Sequence, residues 1–115
     1  MTPAVFENAG VRAFEIVGDV MAPTLRSGDF LMVKAAASYD FEGIYILDFD
    51  GQGGTPYRAE RVLIGGCREV RIWHDNPAYS RHVIGLDDFN TAVRGKVVAE
   101  VRMKVTRSEL LRLAA

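Results

Sequence analysis

Cysteine is almost absent from this 115-residue chain, where Cys67 stands alone. A single thiol excludes an internal disulfide framework and suits a reducing compartment, so the cytoplasm is the expected location. Charge of one sign is also missing: 14 Lys and Arg stand against 15 Asp and Glu, a formal net charge of −1. Gripping a nucleic-acid backbone requires clustered positive charge to displace counterions, so any contact with DNA is expected through a domain outside this chain. No apolar run approaches the roughly 20 residues that a membrane helix needs. The N-terminus, Met1-Thr2-Pro3-Ala4-Val5, lacks the basic-then-apolar pattern of a secretory signal. There is no internal repeat and no low-complexity tract. Lysine has its own gap, with none between Lys34 and Lys96.

What is present is an ordinary globular mixture, 49% hydrophobic and 25% charged. The length suits one domain over residues 1–115 with one modest core. Short β-like runs separated by Gly, Pro and Asp dominate. They predict strands over Ala13 to Val17, Phe30 to Lys34, Gly43 to Phe49, Tyr57 to Ile64 and Arg68 to Trp73. Asp50-Gly51-Gln52-Gly53-Gly54 and Gly65-Gly66 read as turns. Near the end, Val97, Ala99, Val101, Met103 and Val105 alternate with mainly charged residues, the period of a half-buried strand. The tail from Arg107 suits a short helix capped by Thr106 or Ser108. The expectation is a mostly β domain of about seven short strands with a short C-terminal helix.

Five blocks carry a further pattern. Gly18-Asp19-Val20-Met21-Ala22-Pro23-Thr24-Leu25 is followed closely by Gly28-Asp29. Glu42-Gly43-Ile44-Tyr45-Ile46-Leu47, Glu60-Arg61-Val62, His74-Asp75-Asn76-Pro77-Ala78-Tyr79 and Gly95-Lys96-Val97-Val98 come after it in order. Together these resemble the self-cleaving C-terminal domains of the LexA, UmuD and phage-repressor family, which share a signal-peptidase-like β-fold. Each block also has a local physical reading. Asp19 ends a strand in a turn and is placed to bond its own neighbouring backbone. Pro23 fixes φ in a connection, and Asn76-Pro77 initiates a turn.

In that family the residue between Asp and Met is the nucleophilic serine, and a lysine on a later strand takes its proton. The resemblance places Val20 at the nucleophile position and Glu60 at the lysine position. Valine has no attacking atom. Glutamate activates nothing without a hydroxyl beside it. A slip of register does not restore the pair, because Arg58 and Arg61 are the nearby cations and arginine stays protonated. Val20 is expected to pack apolar, and Glu60 to reach solvent or pair with a cation such as Arg58 or Arg61. Thr24, Ser27 and Ser38 are the hydroxyls nearest the block. Ala9-Gly10 has the letters of the family's cleavage bond but lies only ten residues before Val20, so it reads as a loop.

Cys67, His74 and His82 are separated by six and seven residues, which matches no compact zinc pattern. No metal and no cofactor is expected. Asp48, Asp50, Asp87 and Asp88 read as turn residues, and Arg58, Arg61, Arg68 and Arg71 as a solvated face. Tyr39, Phe41, Tyr45 and Phe49 read as core and edge packing, and Trp73 and Phe89 as candidates for a dimer contact. The resemblance implies a non-catalytic repressor-type domain that pairs two copies and is regulated by a protein partner such as an antirepressor. The alternatives are a self-cleaving serine peptidase with a displaced nucleophile and a free-standing, UmuD-like partner subunit.

Overall fold

A computed structural model of the chain describes residues 9–62 and 68–114. Seven strands form one antiparallel sheet: β1 (Val11–Glu15), β2 (Phe30–Ala35), β3 (Gly43–Leu47), β4 (Thr55–Val62), β5 (Glu69–Trp73), β6 (His82–Gly85) and β7 (Val93–Val101). Their spatial order is β1-β2-β7-β3-β4-β5-β6, so the last strand inserts between the second and third. Among the described residues two helices accompany the sheet, α1 (Leu86–Ala92) and α2 (Arg107–Ala114).

The apolar run Ile44-Tyr45-Ile46-Leu47 fills β3, and all four residues are buried. A strand covered on both faces has no reason to alternate apolar with polar, and this one does not. Its even positions face one layer and its odd positions the other. On one side Tyr45 and Leu47 join Ala59, Val70 and Ile72 of the neighbouring strands, capped by Phe89 and Ala92 of α1. On the other side Ile44 and Ile46 join Leu31 and Ile16, capped by Met21 and Leu25 from the connection between β1 and β2. The sheet is therefore clamped between a two-turn helix and a loop.

Most strands fall near their expected places, with shifted ends. β1 begins two residues before Ala13. β3 stops at Leu47 rather than Phe49, because Asp48 turns out of the sheet and accepts the amides of Gly51 (2.7 Å) and Gly53 (3.3 Å). β4 starts at Thr55 rather than Tyr57. β7 runs from Val93 to Val101 rather than from Val97 to Val105. Its alternation continues past the sheet, but Met103 gives its amide to the Asp29 carboxylate (2.8 Å) and not to a strand. β6 and α1 lie outside the strands and helix expected from the sequence. The C-terminal helix forms as expected, and the Thr106 hydroxyl accepts the Glu109 amide (3.1 Å), so Thr106 is the cap rather than Ser108. Gly65-Gly66, Cys67 and the end of the fourth predicted strand lie outside the described residues.

Some expectations on packing are corrected. Phe89 is fully buried beneath the sheet and makes an edge contact with Tyr45, so it has no surface to offer a partner. Phe41 and Phe49 are exposed rather than packed in the core. Ala9-Gly10 forms a turn at the mouth of β1, as the loop reading requires. Among the described residues no helix is long and apolar enough to cross a membrane.

Candidate functional site

The Gly18–Leu25 segment folds as two overlapping turns. Ala22 donates its amide to the Asp19 carbonyl (3.0 Å), and Leu25 donates to the Met21 carbonyl (2.9 Å). The second bond closes a five-residue turn that brings Met21 and Leu25 together at its two ends. That geometry explains the spacing of Met21 and Leu25. Both side chains enter the sheet face and are completely buried. Burying each stabilises the fold by about 1.5–3 kcal/mol relative to exposure. Val20 packs against the same cluster, half-buried, as expected from its side chain.

Asp29 locks the far end of this segment. Its carboxylate accepts the amides of Arg26 (2.9 Å) and Met103 (2.8 Å), joining the turn before β2 to the chain leaving β7. The bond from Arg26, then that from Met103, outweigh the effect of burial and hold the Asp29 carboxyl below the usual carboxylate range.

The Asp75–Tyr79 turn docks on the near end. Asn76 gives its amide to the Val20 carbonyl (3.0 Å) and its side-chain Nδ2 to the Asp19 carbonyl (3.0 Å). Its Oδ1 accepts the Ala78 amide (2.9 Å), which shapes the turn itself. Tyr79 donates its hydroxyl to Asp19 Oδ1 (2.6 Å). The Asp19 carboxylate thus reaches across to another loop rather than bonding its own backbone, which corrects the local reading. Two blocks singled out separately in the sequence are one bonded unit in three dimensions.

A cleft of about 390 Å³ opens beside this unit, lined by Thr24, Arg58, Trp73, Asp75, Tyr79 and Arg81 among others. Its charged centre is a forked pair. Arg58 Nε lies 2.5 Å from Asp75 Oδ1 and its Nη2 lies 3.0 Å from Oδ2. Burial pushes the Asp75 carboxyl up, but the bonds from Arg58 and from the Thr24 side chain outweigh it and hold the carboxyl below its usual range. His74 lies against Tyr57 with ring centroids 4.2 Å apart and meets Tyr79 edge-on. Burial lowers its proton affinity. Its Nδ1 sits 3.0 Å from the Pro56 carbonyl. A carbonyl only accepts, so Nδ1 carries the proton.

Glu60 lies apart from this centre. It both reaches solvent and pairs with a cation, as expected, but the cation is Arg71 of β5, whose Nη1 lies 3.0 Å from its carboxylate, and not Arg58 or Arg61. Strand pairing explains the difference: β4 and β5 are in register with Glu60 opposite Arg71 and Arg58 opposite Trp73. Two cations reach the Gly18–Leu25 segment, Arg102 by donating to the Thr24 carbonyl (3.2 Å) and, from β4, Arg58 through Asp75. Arg58 lies two residues before Glu60 on the same strand face. The pairing of Arg58 with Asp75 was not legible in the sequence, because nothing in a separation of 17 residues marks it.

The chemistry open to this arrangement is limited. Thr24 is the one hydroxyl among the Gly18–Leu25 residues, and it faces a carboxylate whose proton affinity is lowered. A base in that position is weakened rather than tuned toward neutrality. The cation beside it is an arginine, which cannot give up its proton. Arg68, just before β5, meets Asp87 loosely on the surface (3.7 Å), so Arg58, Arg68 and Arg71 are matched with carboxylates, whereas Arg61 Nε is buried without a hydrogen-bond partner among the described residues. Among the described residues no three His, Cys, Asp or Glu side chains converge as a metal site would require. No family model matches the chain, and no curated protein matches it in sequence.

Proposed function

We propose that this chain is a non-catalytic domain of the LexA and phage-repressor type, which pairs two copies and takes part in the control of a transcriptional repressor. The observation that carries the reading is the residue at position 20. The Gly18–Leu25 segment and the Asp75–Tyr79 turn, both part of the resemblance, are joined by three hydrogen bonds, yet a packed valine stands where the family has its serine. Tyr79 to Asp19 and Asn76 to Asp19 and Val20 hold a cleft wall whose nucleophile is gone. Tying two weak DNA-binding segments together raises their joint affinity through effective concentration. In this reading the DNA-binding segments lie outside the 115 residues, and loss of the serine and lysine uncouples repression from self-cleavage. Control then falls to a protein partner such as an antirepressor.

Sedimentation of the purified chain over a wide concentration range tests the pairing. The reading predicts a dimer whose share grows with concentration. A strict monomer at the highest concentration contradicts it. A second reading, a peptidase with Thr24 as displaced nucleophile, draws on the contact of Thr24 with Asp75. The clamp of Arg58 on that same carboxylate weighs against it. A free-standing, UmuD-like partner subunit is separated from the leading reading by co-purification from the native host. Recovery with a polymerase rather than with a DNA-binding segment favours the subunit.

A further inference from the structure

Pairing two copies needs a surface, and the sheet leaves one edge ready for it. β6 ends the strand order and bonds only β5 among the described residues. Edge strands present a row of unpaired amides and carbonyls, and soluble proteins usually blunt them with lysine, proline, a bulge or a covering segment. β6, His82-Val83-Ile84-Gly85, has no lysine and no proline, and its pairing with β5 runs without a register shift. Val83 is 52% exposed on this edge strand. The opposite edge differs: the end of β1 is engaged by the ion pair of Arg107 with Glu15 (2.8 Å).

The charges around β6 point to what covers it. Arg81 and His82 stand at its start, and Asp87 and Asp88 lie in the first turn of α1, which follows its end. All four are exposed. A parallel neighbour would set like charges side by side. An antiparallel copy of the same segment sets the basic start of each strand against the acidic end of the other. Opposed residues in an antiparallel pair share a face, so a two-fold axis perpendicular to the sheet must pass through a residue. Centred on Ile84, it places Val83 opposite Gly85 of the second copy and brings Arg81 toward the first turn of that copy's α1, which carries Asp87.

We propose that two copies of this chain associate through β6, antiparallel and continuous with the sheet, with Arg81 and Asp87 matched across the two-fold axis. This rests on the reading that the domain pairs two copies, and it names the surface that does so. A four-residue strand with its flanks is a small interface, so the association is concentration-dependent rather than permanent.

Sedimentation equilibrium of the full 115-residue chain tests it, with circular dichroism as the control for folding. Val83→Lys places an edge-blunting charge on an exposed side chain and is expected to weaken the dimer about tenfold or more while the spectrum stays unchanged. Arg81→Asp and Asp87→Arg are each expected to weaken it, and an equimolar mixture of these two variants to recover association. If the wild-type chain dimerises and Val83→Lys leaves the constant unchanged, the β6 assignment is wrong and the pairing reading stands. If the mixture fails to recover, the antiparallel match is wrong. If the wild-type chain is a monomer throughout, both the assignment and the pairing reading fail.

Discussion

Tyr79 and Asp19 lie 60 residues apart in the chain, and the phenol of one donates to the carboxylate of the other at 2.6 Å. This contact, with the two from Asn76, fastens the Asp75–Tyr79 turn to the segment that caps one face of the sheet. The segment's own anchors are apolar, Met21 and Leu25. Its entry adds the packing of half-buried Val20 and these three polar bonds, which set how often it opens.

Asn76→Ala removes the bond to the Asp19 carbonyl and the acceptor for the Ala78 amide. The variant is expected to lose about 1 kcal/mol of stability. Hydrogen exchange gives the more specific readout: the amides of Ala22 and Leu25 should exchange faster than in the wild type, while those of β3 keep their protection. Uniform acceleration across the sheet would show that the turn supports the whole fold and not this segment.

Asp75 gives the fold a dependence on acid. Burial pushes its carboxyl up, but Arg58 and Thr24 hold it below the ordinary range in the folded chain. The folded state therefore binds fewer protons than the unfolded one around the aspartate pKa. The stabilisation is present above the unfolded value, about pH 4, and is lost as pH falls through the lower folded value. Asp75→Asn breaks the forked pair and should cost about 1–3 kcal/mol at pH 7, a range reduced for the partly exposed guanidinium. Urea unfolding at several pH values checks this: the gap between wild type and variant should close below about pH 4. A gap of constant size would mean that the pair contributes through shape and not charge.

Gly95 marks a place where two strands come too close for any side chain. A Cβ there would lie 2.3 Å from Val33 Cγ1 and 3.1 Å from the Lys34 carbonyl oxygen. β2 pairs β7 at this point just past its register shift. Gly95→Ala should destabilise the domain by about 1–3 kcal/mol through overpacking, measured as a lowered denaturant midpoint. A neutral result would mean that β2 and β7 separate more readily than their pairing implies.

Much of this was open to view in the residues. The buried run of β3 and the turn chemistry of Asp48 and Asn76 read directly from composition and spacing, because local bonding sets them. The end of β7 did not, since the period-two pattern continues to Val105 while the Asp29 carboxylate draws the chain away at Met103. α1 was hidden by its length: its seven residues carry no side-chain cap, and it is held by Phe89 and Ala92 against the sheet rather than by its own propensity. The partners of Arg58, Glu60 and Asp19 were also unreadable, for they depend on strand register and on one loop meeting another.

Val20→Ser restores the hydroxyl of the resembling family without its base. The strand beside the cleft offers Arg58, which stays charged, and the sequence has no lysine between Lys34 and Lys96. The variant is expected to remain a single intact species on prolonged incubation, read by mass spectrometry. Cleavage would reveal a proton acceptor that Arg58 and Asp75 do not supply.

The central claim of the proposed function is that the cleft lined by Thr24, Arg58 and Asp75 holds no working nucleophile. Long incubation of the wild-type chain at alkaline pH, where a lysine base would be neutral, tests it most directly, with intact mass as the readout. The account predicts one unchanged mass. A discrete fragment that forms in the wild type and disappears in Thr24→Val would contradict it.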